Sequence, residues 1–129
     1  MAAQLPADLA IASFTVAEIE YGIATIQQSA LVTQLTAWLS AIIATQRILP
    51  LDADSARIFG RLLAVSALRN LIAAPPLARK PRFAGDLAVA ATAVAHQATI
   101  ATRNVTDFQL IAQHCPGLAG IDPWTGQTF

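Results

Sequence analysis

Asp86-Leu-Ala-Val-Ala-Ala-Thr-Ala-Val-Ala-His96, followed by Ala98-Thr-Ile-Ala-Thr102, is the stretch on which the fold turns. Asp86 opens a helix that runs to about His96, with Leu87, Val89, Ala90, Ala93 and Val94 packing at helical spacing. A short apolar run then follows, bounded by polar residues, which is the mark of a buried strand. Working outward, Leu9-Ala-Ile-Ala-Ser-Phe14 reads as a strand. Thr15-Val-Ala-Glu18 fits a capping box that starts a helix from about Val16 to Ile26. Ala30 to Thr45 predicts a second helix, with Leu31, Leu35, Trp38, Leu39, Ile42 and Ile43 on one face. Arg47 to Asp52 predicts a strand that Pro50 confines to an edge or an end. Asp52 or Asp54 caps a helix to about Leu71. Ala73 to Phe83, with Pro75, Pro76 and Pro81, reads as a loop, and Leu118 to Asp122 as a last strand. Arg103 to Asp107 reads as a turn, and Ala112 to Pro116 as a loop or helix end. The order strand–helix–helix–strand–helix–helix–strand–strand implies an α/β domain with a mainly parallel sheet and helices on both faces.

The 129 residues suffice for a single domain, 1–129. Eight basic and eight acidic residues cancel, which excludes a protein that coats nucleic acid by charge alone. Hydrophobic residues are 55% and charged residues 12%, which excludes a disordered chain. The lone Cys115 excludes an internal disulfide and a cysteine-rich zinc site. Mean hydropathy is high at +0.53, and residues 21–46 carry no formal charge. Gln27, Gln28, Gln34 and Gln46 in that window argue against a membrane span, because lipid would have to desolvate their amides. No signal peptide is legible, so a cytoplasmic protein with an apolar, partner-seeking surface is expected.

Ligand sites in a parallel α/β sheet lie outside the carboxyl ends of the strands. Glu18, Asp86 and Asp107 fall there, with Asn104 beside the last. Gathered carboxylates repel unless a cation neutralises them, and Mg²⁺ or Mn²⁺ suits such oxygen donors. Such a site can polarise a phosphodiester and generate a hydroxide. Each residue also has a plain structural reading: Glu18 closes a capping box, Asp86 caps a helix, and Asp107 fixes a turn. His96 reads as a helix-end residue, Trp38 as core, and Arg79, Lys80, Arg82 and Arg103 either as phosphate contacts or as a solvated basic loop. Serine or cysteine nucleophile arrangements and glycine-rich phosphate loops are absent from the pattern.

Five segments in order carry a family resemblance: Phe14-Thr-Val-Ala-Glu-Ile-Glu-Tyr-Gly-Ile23, Arg47 to Asp52, Gly85 to His96, Thr99 to Phe108, and Asp122-Pro-Trp124. Together they resemble PIN-domain proteins, and within them the VapC-type toxin endoribonucleases of bacterial type II toxin–antitoxin pairs, from about residue 9 to 124. The resemblance implies a PIN-like three-layer fold and a metal-dependent ribonuclease that hydrolyses RNA phosphodiester bonds. Glu18, Asp86 and Asp107 would be catalytic and, with Asn104, would hold Mg²⁺ or Mn²⁺. Arg82, Thr102 and Arg103 would touch RNA. A cognate antitoxin and a homodimer are the implied partners. The family's first strand, ending in hydrophobic–Asp–Thr–Asn and central in its sheet, has no counterpart here. The expectation is therefore an N-terminally shortened domain of weak activity, or alternatively an inactive remnant that only binds an antitoxin or toxin subunit.

Overall fold

A parallel strand pair near the N-terminus and another near the C-terminus frame the protein in this computed structural model, which describes residues 10–73, 83–123 and 125–129. β1 (Ala10–Ala12) leads directly into α1 (Ser13–Thr25). α2 (Ser29–Thr45), β2 (Arg47–Leu49), α3 (Ala53–Ala64) and α4 (Ser66–Ala73) follow. α5 (Phe83–Ala95), β3 (Ile100–Ala101), α6 (Val105–Ala112) and β4 (Gly120–Ile121) complete the chain.

β1 pairs in parallel with β2, in the register Ala10↔Arg47, Ile11↔Ile48 and Ala12↔Leu49. β3 pairs in parallel with β4 through Ile100↔Gly120 and Ala101↔Ile121. Among the described residues no strand pair joins the two ladders. The chain is thus α/β with parallel pairing, as the element order implies. The single sheet of a three-layer PIN-like fold is described instead as two short ladders.

α5 is the centre of the packing. Phe83, Leu87, Ala88, Ala90, Ala91 and Ala93 are all buried along it. Its alanines let neighbouring helices approach closely, and its one buried hydroxyl is satisfied within the helix, where Thr92 Oγ1 donates to the Ala88 carbonyl at 2.8 Å. Leu62 from α3, Leu68 from α4, Ile100 from β3, and Phe108 and Ile111 from α6 close around it. After β4 the chain turns back, and Ile121 pairs antiparallel with Thr128. The Phe129 ring then stacks on Phe108 with centroids 6.4 Å apart. Gly120 makes this possible, since a Cβ there would lie 2.0 Å from the Phe129 ring.

Four elements differ from the sequence reading. The first helix begins at Ser13 with no side-chain cap, so Thr15 and Glu18 do not form the expected capping box. Ser13 is held from outside the helix, its Oγ accepting the Leu51 backbone N–H at 3.1 Å. The expected single helix from Asp52 to Leu71 breaks at Val65, whose ψ of 118° ends α3 before α4 begins. α5 starts at Phe83, three residues ahead of Asp86. Where a turn was expected, α6 forms because Val105, Phe108 and Ile111 recur every third residue and bury together. The stretch from Ala73 to Phe83, expected to be a loop, has its residues 74–82, with Arg79, Lys80 and Arg82, outside the described residues, as is Trp124.

Candidate functional site

The carboxyl ends of β1 and β3 deliver the expected site residues in two pairs. Glu18 sits on the exposed side of α1, while Asp86 lies half-buried in the first turn of α5. Gly85 brings these helices together. A Cβ on Gly85 would meet the Phe14 ring at 2.7 Å and Glu18 Oε2 at 3.3 Å, so the Glu18 carboxylate lies against the backbone that carries Asp86. Both Glu18 and Asp86 are engaged by neighbouring groups.

The second pair lies beyond β3. Thr102 Oγ1 accepts the Asn104 backbone N–H at 2.9 Å, which turns the chain into α6. Asn104 Nδ2 then donates to Asp107 Oδ2 at 2.9 Å. An amide already donating to a carboxylate orients that carboxylate and neutralises none of its charge. Arg103 is exposed and has a bonding partner of its own. Among the described residues no group of three or more His, Cys, Asp or Glu could hold a metal ion.

A third polar cluster was not foreseen as a unit. Asp52 accepts the Ser55 backbone N–H at 3.0 Å and the Ser55 hydroxyl at 2.8 Å, capping α3 as expected. Its other oxygen lies 3.2 Å from His96 Nε2, and the Pro50 carbonyl lies 3.1 Å from the same nitrogen. The bonds from the Ser55 backbone and hydroxyl, and then the His96 ring, hold the Asp52 carboxyl below its usual range. His96 thus ties the end of α5 to the start of α3. Nothing local signals this contact, because the partners are far apart in sequence. Cys115 is buried, and burial pushes its thiol pKa up.

Several large apolar side chains of α1 and α2 are exposed. The sequence predicts one buried face on the second helix, yet Leu39 is the one buried residue of α2. Trp38 is 50% exposed, Ile43 49% and Tyr21 of α1 68%. Trp38 therefore does not sit in the core as expected. Exposed aromatic and aliphatic side chains on two adjacent helices leave apolar area in water. No described helix is long and apolar enough to cross a membrane.

No protein-family model matches the chain, and no curated protein matches it by sequence. Solved structures do. The chain is similar to one in the structure of FitAB bound to the IR36 DNA fragment, at 27% identity and a TM-score of 0.67 over 93% of this chain and 76% of that one. It is also similar to one in VapBC2 from Rickettsia felis bound to a DNA fragment from their promoter, at 24% identity and a TM-score of 0.59 over 84% of this chain and 70% of that one. These neighbours correct the identification drawn from the motifs. They are protein complexes held on DNA, and the reading of this chain as a PIN-family, VapC-type metal-dependent endoribonuclease with RNA as substrate is replaced accordingly.

Proposed function

We propose that this protein is a component of a toxin–antitoxin complex that assembles on DNA, and that it joins the complex through the exposed apolar face of α1 and α2. The observation that carries the reading is that surface: Tyr21, Leu31 and Trp38 stand in water, Leu31 and Trp38 on one side of α2, in a stretch with no formal charge from 21 to 46. Aromatic anchors of this kind dominate binding energy when a partner covers them. The resemblance to chains of the FitAB and VapBC2 complexes on DNA supports the kind of assembly. A chain of zero net charge does not hold DNA by bulk attraction, so its presence on DNA rests on a partner and on locally placed groups.

The test is purification of the tagged chain from its native cells under mild salt, with protein and DNA identified in the same fraction. A small protein partner in stoichiometric amount, together with duplex DNA, is expected. Trp38→Glu should abolish the partner while the isolated chain keeps its melting temperature, because that side chain contributes little to the core. A chain that stays monomeric and soluble at high concentration, without partner or DNA, refutes the proposal. A second copy of the chain on the same face would show as a dimer that Trp38→Glu dissociates.

A further inference from the structure

The exposed face of α3 has a composition that its own packing does not explain. Arg57 and Arg61 are one helical turn apart, and both are exposed. Gly60 lies between them on the same face. A glycine inside a helix is disfavoured relative to alanine, and proteins keep one where a backbone must be approached closely. Among the described residues nothing approaches Gly60: a Cβ there would meet no atom within 4 Å, as is also true of Gly22 in α1.

The arginines are equally uncommitted. Among the described residues, no ion pair or hydrogen bond engages the guanidinium of Arg57, Arg61 or Arg69, which continues the exposed surface on α4. Asp52, by contrast, is held by Ser55 and His96, and Asp107 by Asn104. The neighbours of the arginines are small or polar, Ala53, Ala56, Ala64, Ser66 and Asn70 being exposed on α3 and α4, with one acid, Asp54, exposed in the first turn of α3. None of the exposed large hydrophobic residues lies on these two helices.

We infer that the α3–α4 face, centred on Arg57, Gly60 and Arg61, contacts the phosphate backbone of duplex DNA. The inference rests on the proposed DNA-bound assembly and names the surface by which this chain meets the nucleic acid. A protein partner would ask for aromatic or aliphatic anchors, which this face lacks and the α1–α2 face has. A phosphate backbone asks for fixed guanidinium donors, an amide or hydroxyl nearby, and room to come close, which Arg57, Arg61, Asn70 and Gly60 supply. The contact reads no base sequence, since arginines that meet phosphates position a protein on the duplex without specifying it.

The experiment measures binding of the purified full chain to a fluorescein-labelled, mixed-sequence duplex of about two helical turns, by anisotropy over a salt series. The expected wild-type result is weak, salt-sensitive binding. Arg57→Gln/Arg61→Gln should lower the slope of log K against log salt by about two, one for each lost phosphate contact. Arg47→Gln, outside the face, should leave the slope unchanged. Gly60→Ala separates ligand approach from helix structure: it should melt higher than the wild type and bind DNA about tenfold more weakly, the cost of one lost charge-assisted bond. Absence of wild-type duplex binding overturns the inference, as does an unchanged slope in the double variant. Arginine-dependent binding of a glutamate-rich peptide in place of the duplex overturns it too. Partner capture in the purification above is independent of Arg57 and Arg61, so loss of this inference alone leaves that capture intact.

Discussion

Gly85→Ala is a small change whose sign the structure decides. In an ordinary helix interior the substitution stabilises by about 1 kcal/mol, because alanine loses less backbone freedom on folding. Here the added methyl would sit 2.7 Å from Phe14 Cε1 and 3.3 Å from Glu18 Oε2. The first distance is well inside van der Waals contact, so the ring must move. Phe14 is half-buried between α1 and α5, and displacing it costs the roughly 1–3 kcal/mol typical of an overpacked site. The propensity gain is reduced in the first turn of α5, where the backbone donors are unpaired in any case. The clash wins, for a net loss of about 1 kcal/mol and a melting temperature lower by roughly 4 °C. The assay is urea unfolding of wild type, Gly85→Ala, Phe14→Ala and the double variant. In the Phe14→Ala background the alanine at 85 should become neutral or stabilising, giving a coupling of the same size and opposite sign. An equal cost in both backgrounds, or a Gly85→Ala protein that melts above wild type, would falsify the account of how α1 and α5 meet.

The core centred on α5 predicts that Leu87→Ala, at a fully buried position, costs about 2–5 kcal/mol in the same urea assay, as cavity-forming changes do. Asp52 fixes the sign of an acid response. Its folded-state pKa lies below the ordinary aspartate value, so the unfolded chain binds its proton more readily. Its contribution to stability is therefore complete above the ordinary carboxylate range and lost as pH falls through the depressed value. Melting temperatures from neutral pH down to about pH 3 should fall less steeply for Asp52→Asn than for wild type, the window being set by the ordinary aspartate value. The buried thiol of Cys115, with its raised pKa, should resist alkylation in the native protein and react promptly in denaturant.

The parts of the fold that were legible are those whose signal is local. The apolar run from Leu87 to Val94 announces a packed helix, and Ile48-Leu49 and Ile100-Ala101 announce strands wherever they pair. The start of α1 was not legible, because Ser13 is fixed by the Leu51 amide and not by its own helix. The break at Val65 has no local cause in composition; the chain bends there so that Leu68 can reach the same core as Leu62. α6 was hidden because Asn104 and Asp107, strong turn formers, bond to each other across one turn of helix and so permit what they ordinarily interrupt. The apolar period of α2 was read correctly and its destination was not: periodicity tells which residues share a face, not whether the protein or a partner covers it. For the same reason Arg57, Gly60 and Arg61 drew no notice in the sequence. Their meaning depends on what lies around them, and among the described residues nothing meets a Cβ at Gly60.

The connected core holds Leu62, Leu68 and residues from Phe83 to Leu118, and none of Ile23, Leu39 or Leu49 belongs to it. Among the described residues, the first ladder and its two helices meet the rest of the protein through the Phe14–Gly85 contact, the packing of α1 and β1 against α5, and the strap from His96 to Pro50 and Asp52. Such a segment opens as a unit at a free energy well below that of global unfolding. Backbone amides of α1 and α2 should exchange with deuterium long before those of α5. A partner seated on Trp38 and Tyr21 then does two things in one event: it covers the apolar face, and it shuts down that opening. Its affinity would be registered as protection along the whole of α1 and α2, including residues the partner never touches.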